Sequence, residues 1–139
     1  MKEHTPQQTE YIHKLLLRVP KSEIQLQSKC AELLFWFYPN DWKRLVCVNN
    51  NSLKANTQGV GIVPGASDTY WLGFGGNILF IEFKFGNNTQ SEKQLQWEKL
   101  CLSLGHKYVL CYTEDRFWEL VNLPKPELAN FSFAYEGEN

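Results

Sequence analysis

The chain has 139 residues, 43% hydrophobic and 14% aromatic, enough for one domain with a real core. A net charge of −1, from 14 basic and 15 acidic residues, excludes a globally basic footprint, so any nucleic-acid contact must be local. No apolar leader opens the sequence and no stretch is long enough to span a bilayer, so the expectation is an intracellular, cytoplasmic protein without a membrane partner.

Residues 1–21 are polar and mixed, and Tyr11, Ile12, Leu15, Leu16 and Leu17 predict a short helix or arm broken by Pro20. Ser22 is a good N-cap, and Glu23–Tyr38 reads as an amphipathic helix ended by Pro39-Asn40. Its buried stripe is Leu26, Cys30, Leu33 and Phe37; Glu23 falls on that stripe and Glu32 roughly opposite it. Arg44–Asn49 predicts a strand, followed by a polar loop of asparagines carrying Lys54. A second strand should run from about Val60 to Leu72, broken by Pro64-Gly65.

Gly73-Phe74-Gly75-Gly76-Asn77 is turn chemistry, and Ile78–Phe85 is the third strand. Ser91 then caps a helix to about Leu104, with Trp97, Cys101 and Leu104 as its stripe and Gln94 one step before them. Gly105 suits the helix C-terminus, and 108–112 is a fourth strand. Glu114–Val121 predicts a short helix before an acidic tail over 124–139. The domain proper is 22–123. Its fold class is α/β, in the order α-β-β-β-α-β, with a mixed central sheet flanked by helices and a right-handed crossover from 78 to 112.

The third strand carries the chemistry. Leu79, Ile81, Phe83 and Phe85 alternate with Phe80, Glu82 and Lys84, so one face of an otherwise apolar strand holds two opposite charges. Such charges are costly in an interior unless paired or used. Thirteen residues separate Asp68 from Glu82, and the glycine-rich turn between them permits a hairpin that sets the two carboxylates side by side. Two carboxylates suit a hard divalent cation, and an ammonium stands next to them. Cys30, Cys47, Cys101 and Cys111 form no Cys-x-x-Cys pair, and His4, His13 and His106 show no ligand spacing. Buried free thiols are therefore expected rather than zinc.

The pattern Glu23…Asp68…Glu82-x-Lys84…Gln94 resembles the PD-(D/E)xK nuclease superfamily, whose core is restriction-endonuclease-like. Within it, the chain looks most like the small stand-alone VRR-NUC domains of phages and mobile elements. The likeness covers about residues 22–113: a Gly/Pro-rich approach to Asp68, an apolar strand with Glu-x-Lys, then Ser91-Glu92-Lys93-Gln94 opening a helix. The residue before the aspartate is often proline in that family, and here it is Ser67.

The resemblance implies a Mg²⁺-dependent DNA endonuclease of a bacterial or phage-infected cell, with Mn²⁺ as a substitute. Asp68, Glu82 and the Phe83 backbone carbonyl would bind the metal, and Glu23 would hold a metal-bound water or second ion. Lys84 would position or help deprotonate the attacking water and neutralise charge on the phosphorus, and Gln94 would orient Lys84 or the water. Small family members act as homodimers on branched DNA such as Holliday junctions. Lys43, Arg44, Lys54, Lys93, His106 and Lys107 are the candidates for phosphate contacts.

Plainer readings stand beside these. Glu82 and Lys84 would be an exposed charge pair on a half-covered sheet. Glu23 would complement its helix dipole, and Gln94 would be a surface first-turn residue. Trp42 and Trp71 would pack or stack on bases, and Phe131, Phe133 and Tyr135 would pack on their own domain or form a dimer surface. The rival function is a nucleic-acid-binding module that does not cut.

Overall fold

A computed structural model describes residues 3–48 and 63–131. Lys54 with the surrounding polar loop, the start expected for the second strand, and Phe133 and Tyr135 lie outside the described residues. Two compact units form, one from Met1–Trp42 with Thr113–Asn139, the other from Lys43–Tyr112. The described chain is an α/β protein with four α-helices and a mixed four-strand sheet.

The first unit is helical. Helix α1, Pro6–Leu17, starts where Thr5 and Gln8 close a capping box and Pro6 presets the first turn. Of the short helix or arm expected here, the helix forms. Helix α2, Glu23–Phe37, is capped by Ser22, whose hydroxyl accepts the Gln25 N–H. Its buried face is Leu26, Lys29, Cys30, Leu33 and Leu34. Phe37 is only half-buried and instead meets the Phe131 ring edge-on at 5.6 Å. Helix α4, Glu114–Val121, buries Phe117, Trp118 and Val121 and ends on Asn122 in the left-handed conformation.

The second unit holds the sheet. Strands β1 (Leu45–Cys47), β2 (Thr69–Leu72), β3 (Ile78–Phe83) and β4 (Lys107–Cys111) lie in that order. The first three are antiparallel neighbours, and β3 pairs with β4 in parallel through helix α3, Glu92–Ser103. Gly75 and Gly76 take positive φ in the β2–β3 turn, a conformation that costs glycine nothing.

Three expectations need correction. β2 is a short strand that begins at Thr69, because Pro64-Gly65 forms a closed turn in which the Ala66 N–H reaches the Val63 carbonyl. Leu104 is exposed beyond the end of α3, so the inner stripe of that helix is Gln94, Trp97 and Cys101. Cys47 is exposed on edge strand β1, unlike the three buried thiols. Among the described residues no helix is long and apolar enough to cross a membrane.

Candidate active site

The register of the β2–β3 hairpin brings the two carboxylates together. Thr69 pairs with Ile81 and Tyr70 with Phe80, so the next step of the ladder sets Asp68 opposite Glu82. Residues opposite on an antiparallel ladder share a face, with Cα atoms about 4.5–5.5 Å apart. That face continues through Tyr70 and Phe80 to Tyr108, which lies opposite Phe80 on β4. Helix α3 covers it: the Trp97 ring meets Phe80 edge-on at 5.9 Å. The opposite face carries Thr69, Trp71, Ile81, Phe83 and Cys111, all buried. Trp71 thus packs, whereas Trp42 is exposed.

Glu82 is 6% exposed and Lys84 5%, so they are not an exposed pair on a half-covered sheet. Gln94 joins them. Lys84 Nζ donates to Gln94 Oε1 at 2.8 Å, and Gln94 Nε2 donates to Glu82 Oε2 at 3.3 Å. The ammonium can only donate and the carboxylate can only accept, so this orientation of the amide is the one that satisfies both. The same Oε1 accepts the Ser91 N–H at 3.0 Å, while the Gln94 N–H donates to Ser91 Oγ at 3.2 Å. Gln94 is therefore both a capping-box residue and part of the site. The Lys84 N–H extends the parallel ladder by donating to the Cys111 carbonyl at 2.9 Å.

Asp68 is exposed, but its backbone is held. Its carbonyl accepts the Val48 N–H at 2.7 Å, and the next residue, Thr69, donates its hydroxyl to the Ile81 carbonyl. The residue before, Ser67, is buried and accepts a 3.1 Å hydrogen bond from Trp97 Nε1. Gly65, at φ +84°, sits on the first turn of α3: a Cβ there would lie 2.3 Å from the Lys93 carbonyl group and 2.6 Å from Gln94 N.

Tyr108 belongs to the same face. Burial pushes its hydroxyl up to about 12; the hydrogen bond from Gln90 opposes this, and the charges of Glu82 and Glu98 add to it. Its hydroxyl accepts from Gln90 Nε2 at 3.3 Å.

The remaining candidates are more scattered. Glu23 is the half-buried first residue of α2, in the helical unit. Lys93 is exposed in the first turn of α3, Lys107 is exposed at the start of β4, and His106 meets Phe80 edge-on. Lys43 and Arg44 end a short 3-10 turn, Trp42–Arg44. The Arg44 guanidinium lies 4.3 Å from both the Trp71 and Phe74 ring centres, and its Nε donates to the Leu72 carbonyl at 2.8 Å. It is thus a stacked, oriented cation rather than a loose surface charge.

Sequence reasoning missed Gly65, Ser67 and Trp97 as parts of the site's frame. The available signal was the Pro-Gly turn three residues before Asp68. Among the described residues no three His, Cys, Asp or Glu side chains gather as a metal-binding group. No family model, curated protein or solved structure matches the chain.

Proposed function

We propose that this chain is a divalent-metal-dependent endonuclease with a PD-(D/E)xK core, hydrolysing DNA phosphodiester bonds. One observation carries the reading: a buried Glu82 and a buried Lys84 are bridged by Gln94, with Asp68 opposite Glu82 on the adjoining strand. Like charges directly opposite on a ladder repel, and a cation held between Asp68 and Glu82 relieves that cost. The donors fit Mg²⁺ or Mn²⁺. Both side chains offer hard oxygen, Phe83 would add its carbonyl, and Mg²⁺ typically takes one or two carboxylates and leaves its other positions to water and phosphate.

When bound, the cation supplies Lewis acidity to the phosphate and to the attacking water. The protein's own residues do the rest. Lys84 holds a fixed positive charge in a buried setting, where charge growing on the phosphate is best stabilised. Gln94 aims that ammonium and bonds Glu82 through its other end. Arg44, Lys43, Lys93 and Lys107 offer sequence-independent phosphate contacts, which favours structure-directed cutting of branched DNA. The described residues carry one such site, so cutting two strands together would take a homodimer.

The test is cleavage of a labelled panel (four-way junction, flap, splayed arm, duplex, single strand) with Mg²⁺, Mn²⁺ or EDTA. Wild type is compared with folded Glu82→Ala, Lys84→Ala and Glu23→Gln. Metal-dependent cutting that Glu82→Ala and Lys84→Ala both lose supports the proposal, and the Glu23→Gln arm assigns or removes that carboxylate. Binding of DNA without cutting would replace it with the non-cutting module.

A further inference from the structure

We infer that Trp97 and Ser67 form a positioning strut that sets Asp68 against Glu82; the inference rests on the nuclease reading and deepens it. Asp68 stands at the start of β2, where the chain leaves the Pro64-Gly65 turn and enters the sheet. Its side chain is exposed. The backbone on either side of it is tied down.

On the sheet side, the Asp68 carbonyl and the Thr69 hydroxyl are bonded to neighbouring strands. On the turn side, two contacts with one helix do the work. Gly65 lies against the Lys93–Gln94 backbone so closely that even a methyl group would collide. Two residues on, the buried Ser67 hydroxyl accepts from Trp97 Nε1, one helical turn after Gln94. Trp97 is itself seated edge-on against Phe80, on the face that carries Glu82.

Helix α3 therefore does two things from adjacent turns. Gln94 orients Glu82 and Lys84, and Trp97 orients the residue before Asp68. Both halves of the carboxylate pair are referred to one rigid element. Trp97 touches neither substrate nor metal in this scheme; it acts through Ser67. The Ser67 side chain must accept a hydrogen bond in a buried place, which an apolar or φ-locked residue there would not do.

The test is a double-mutant cycle on Ser67→Ala and Trp97→Phe, read by calorimetric titration of Mn²⁺ alone, with thermal melting as a control. Trp97→Phe keeps an aromatic ring for Phe80 and removes the indole N–H together with part of the ring system. Ser67→Ala removes one buried oxygen and guards against a failure of the tryptophan variant to fold. Each single variant is expected to weaken Mn²⁺ binding about 10-fold, the scale found when groups supporting metal ligands are removed. The double variant should be no weaker than either single one, because all three lose the same bond. On a DNA substrate, kcat should fall while KM holds. Mn²⁺ affinities equal to wild type in both single variants would overturn the strut and leave the nuclease reading standing. A wild type whose Mn²⁺ signal is absent, or is unchanged by Glu82→Ala, would overturn both.

Discussion

Among the described residues two lysines are almost completely buried, and they are buried differently. Lys29, in the helical unit, is 4% exposed; its Nζ donates to the Leu16 carbonyl at 3.2 Å and the Arg18 carbonyl at 2.6 Å. It also pairs with the Glu114 carboxylate at 3.0 Å. Main-chain carbonyls at the end of α1 are fixed acceptors that the helix itself leaves without partners, and a cation there also suits the helix dipole. Lys84, in the sheet unit, donates instead to a side-chain amide, whose other end holds a carboxylate. Burial alone does not mark a working lysine. The partners differ in type: Lys29 meets backbone carbonyls and a carboxylate, whereas Lys84 meets an amide that is itself bonded to a carboxylate.

If the proposed nuclease activity holds, the two lysines should fail in opposite ways. Lys84→Met should lower single-turnover cleavage by roughly 10²–10³-fold, as loss of a positioned charge-stabilising group does, while cooperative unfolding persists. A variant that cuts at the wild-type rate would put Lys84 in the same class as Lys29. Lys29→Met should instead lower the unfolding free energy by about 3–5 kcal/mol, because Glu114 and two carbonyls lose a buried partner. Urea denaturation measures that loss, and cleavage per folded molecule should hold; a fall in specific activity at full folding would erase the distinction from the other side.

Alkali probes the sheet face that Tyr108 shares with Glu82. Tyr108 in the unfolded chain ionises near 10.0, and in the fold it keeps its proton to about 12. Between those values the folded state binds more protons, so stability must fall as pH rises through the window. Urea midpoints across it should decline, and Tyr108→Phe should flatten the decline; an equal decline in that variant would assign it elsewhere. The smallest effect belongs to a third lysine. Lys125 pairs with the exposed Asp115 at 2.6 Å, chiefly through a hydrogen bond that raises the lysine's pKa. Asp115→Asn should change stability by less than about 1 kcal/mol, the range for surface pairs. A larger loss in the same denaturation series would mean that exposure, too, is a poor guide.

Much of the sheet unit was legible because its signals are local. Alternation in Ile78–Phe85, glycines at 73, 75 and 76, and the Ser91 cap each specify one element. Their spacing permits the hairpin, and the register of that hairpin sets Asp68 opposite Glu82. What the sequence hid depends on contacts distant along the chain. Lys29 reads as a surface charge on an amphipathic helix until the carbonyls of α1 and Glu114 are brought to it. Ser67 reads as a departure from a familiar pattern until Trp97, thirty residues on, is seen to bond it. Gln94 was anticipated on an inner stripe, but its double use was not, since a cap and a site residue leave the same trace in sequence.

That double use ties local opening to function. The start of a helix is where fraying begins, and fraying is the cheapest form of local unfolding. In α3 the Gln94 oxygen accepts both the Ser91 N–H and the Lys84 ammonium, so loosening of the first turn strains the bond to the lysine. Amide hydrogen exchange at residues 94–97 therefore doubles as a gauge of how intact the site is, and a metal or phosphate ligand that orders it should slow exchange there before anywhere else in the helix.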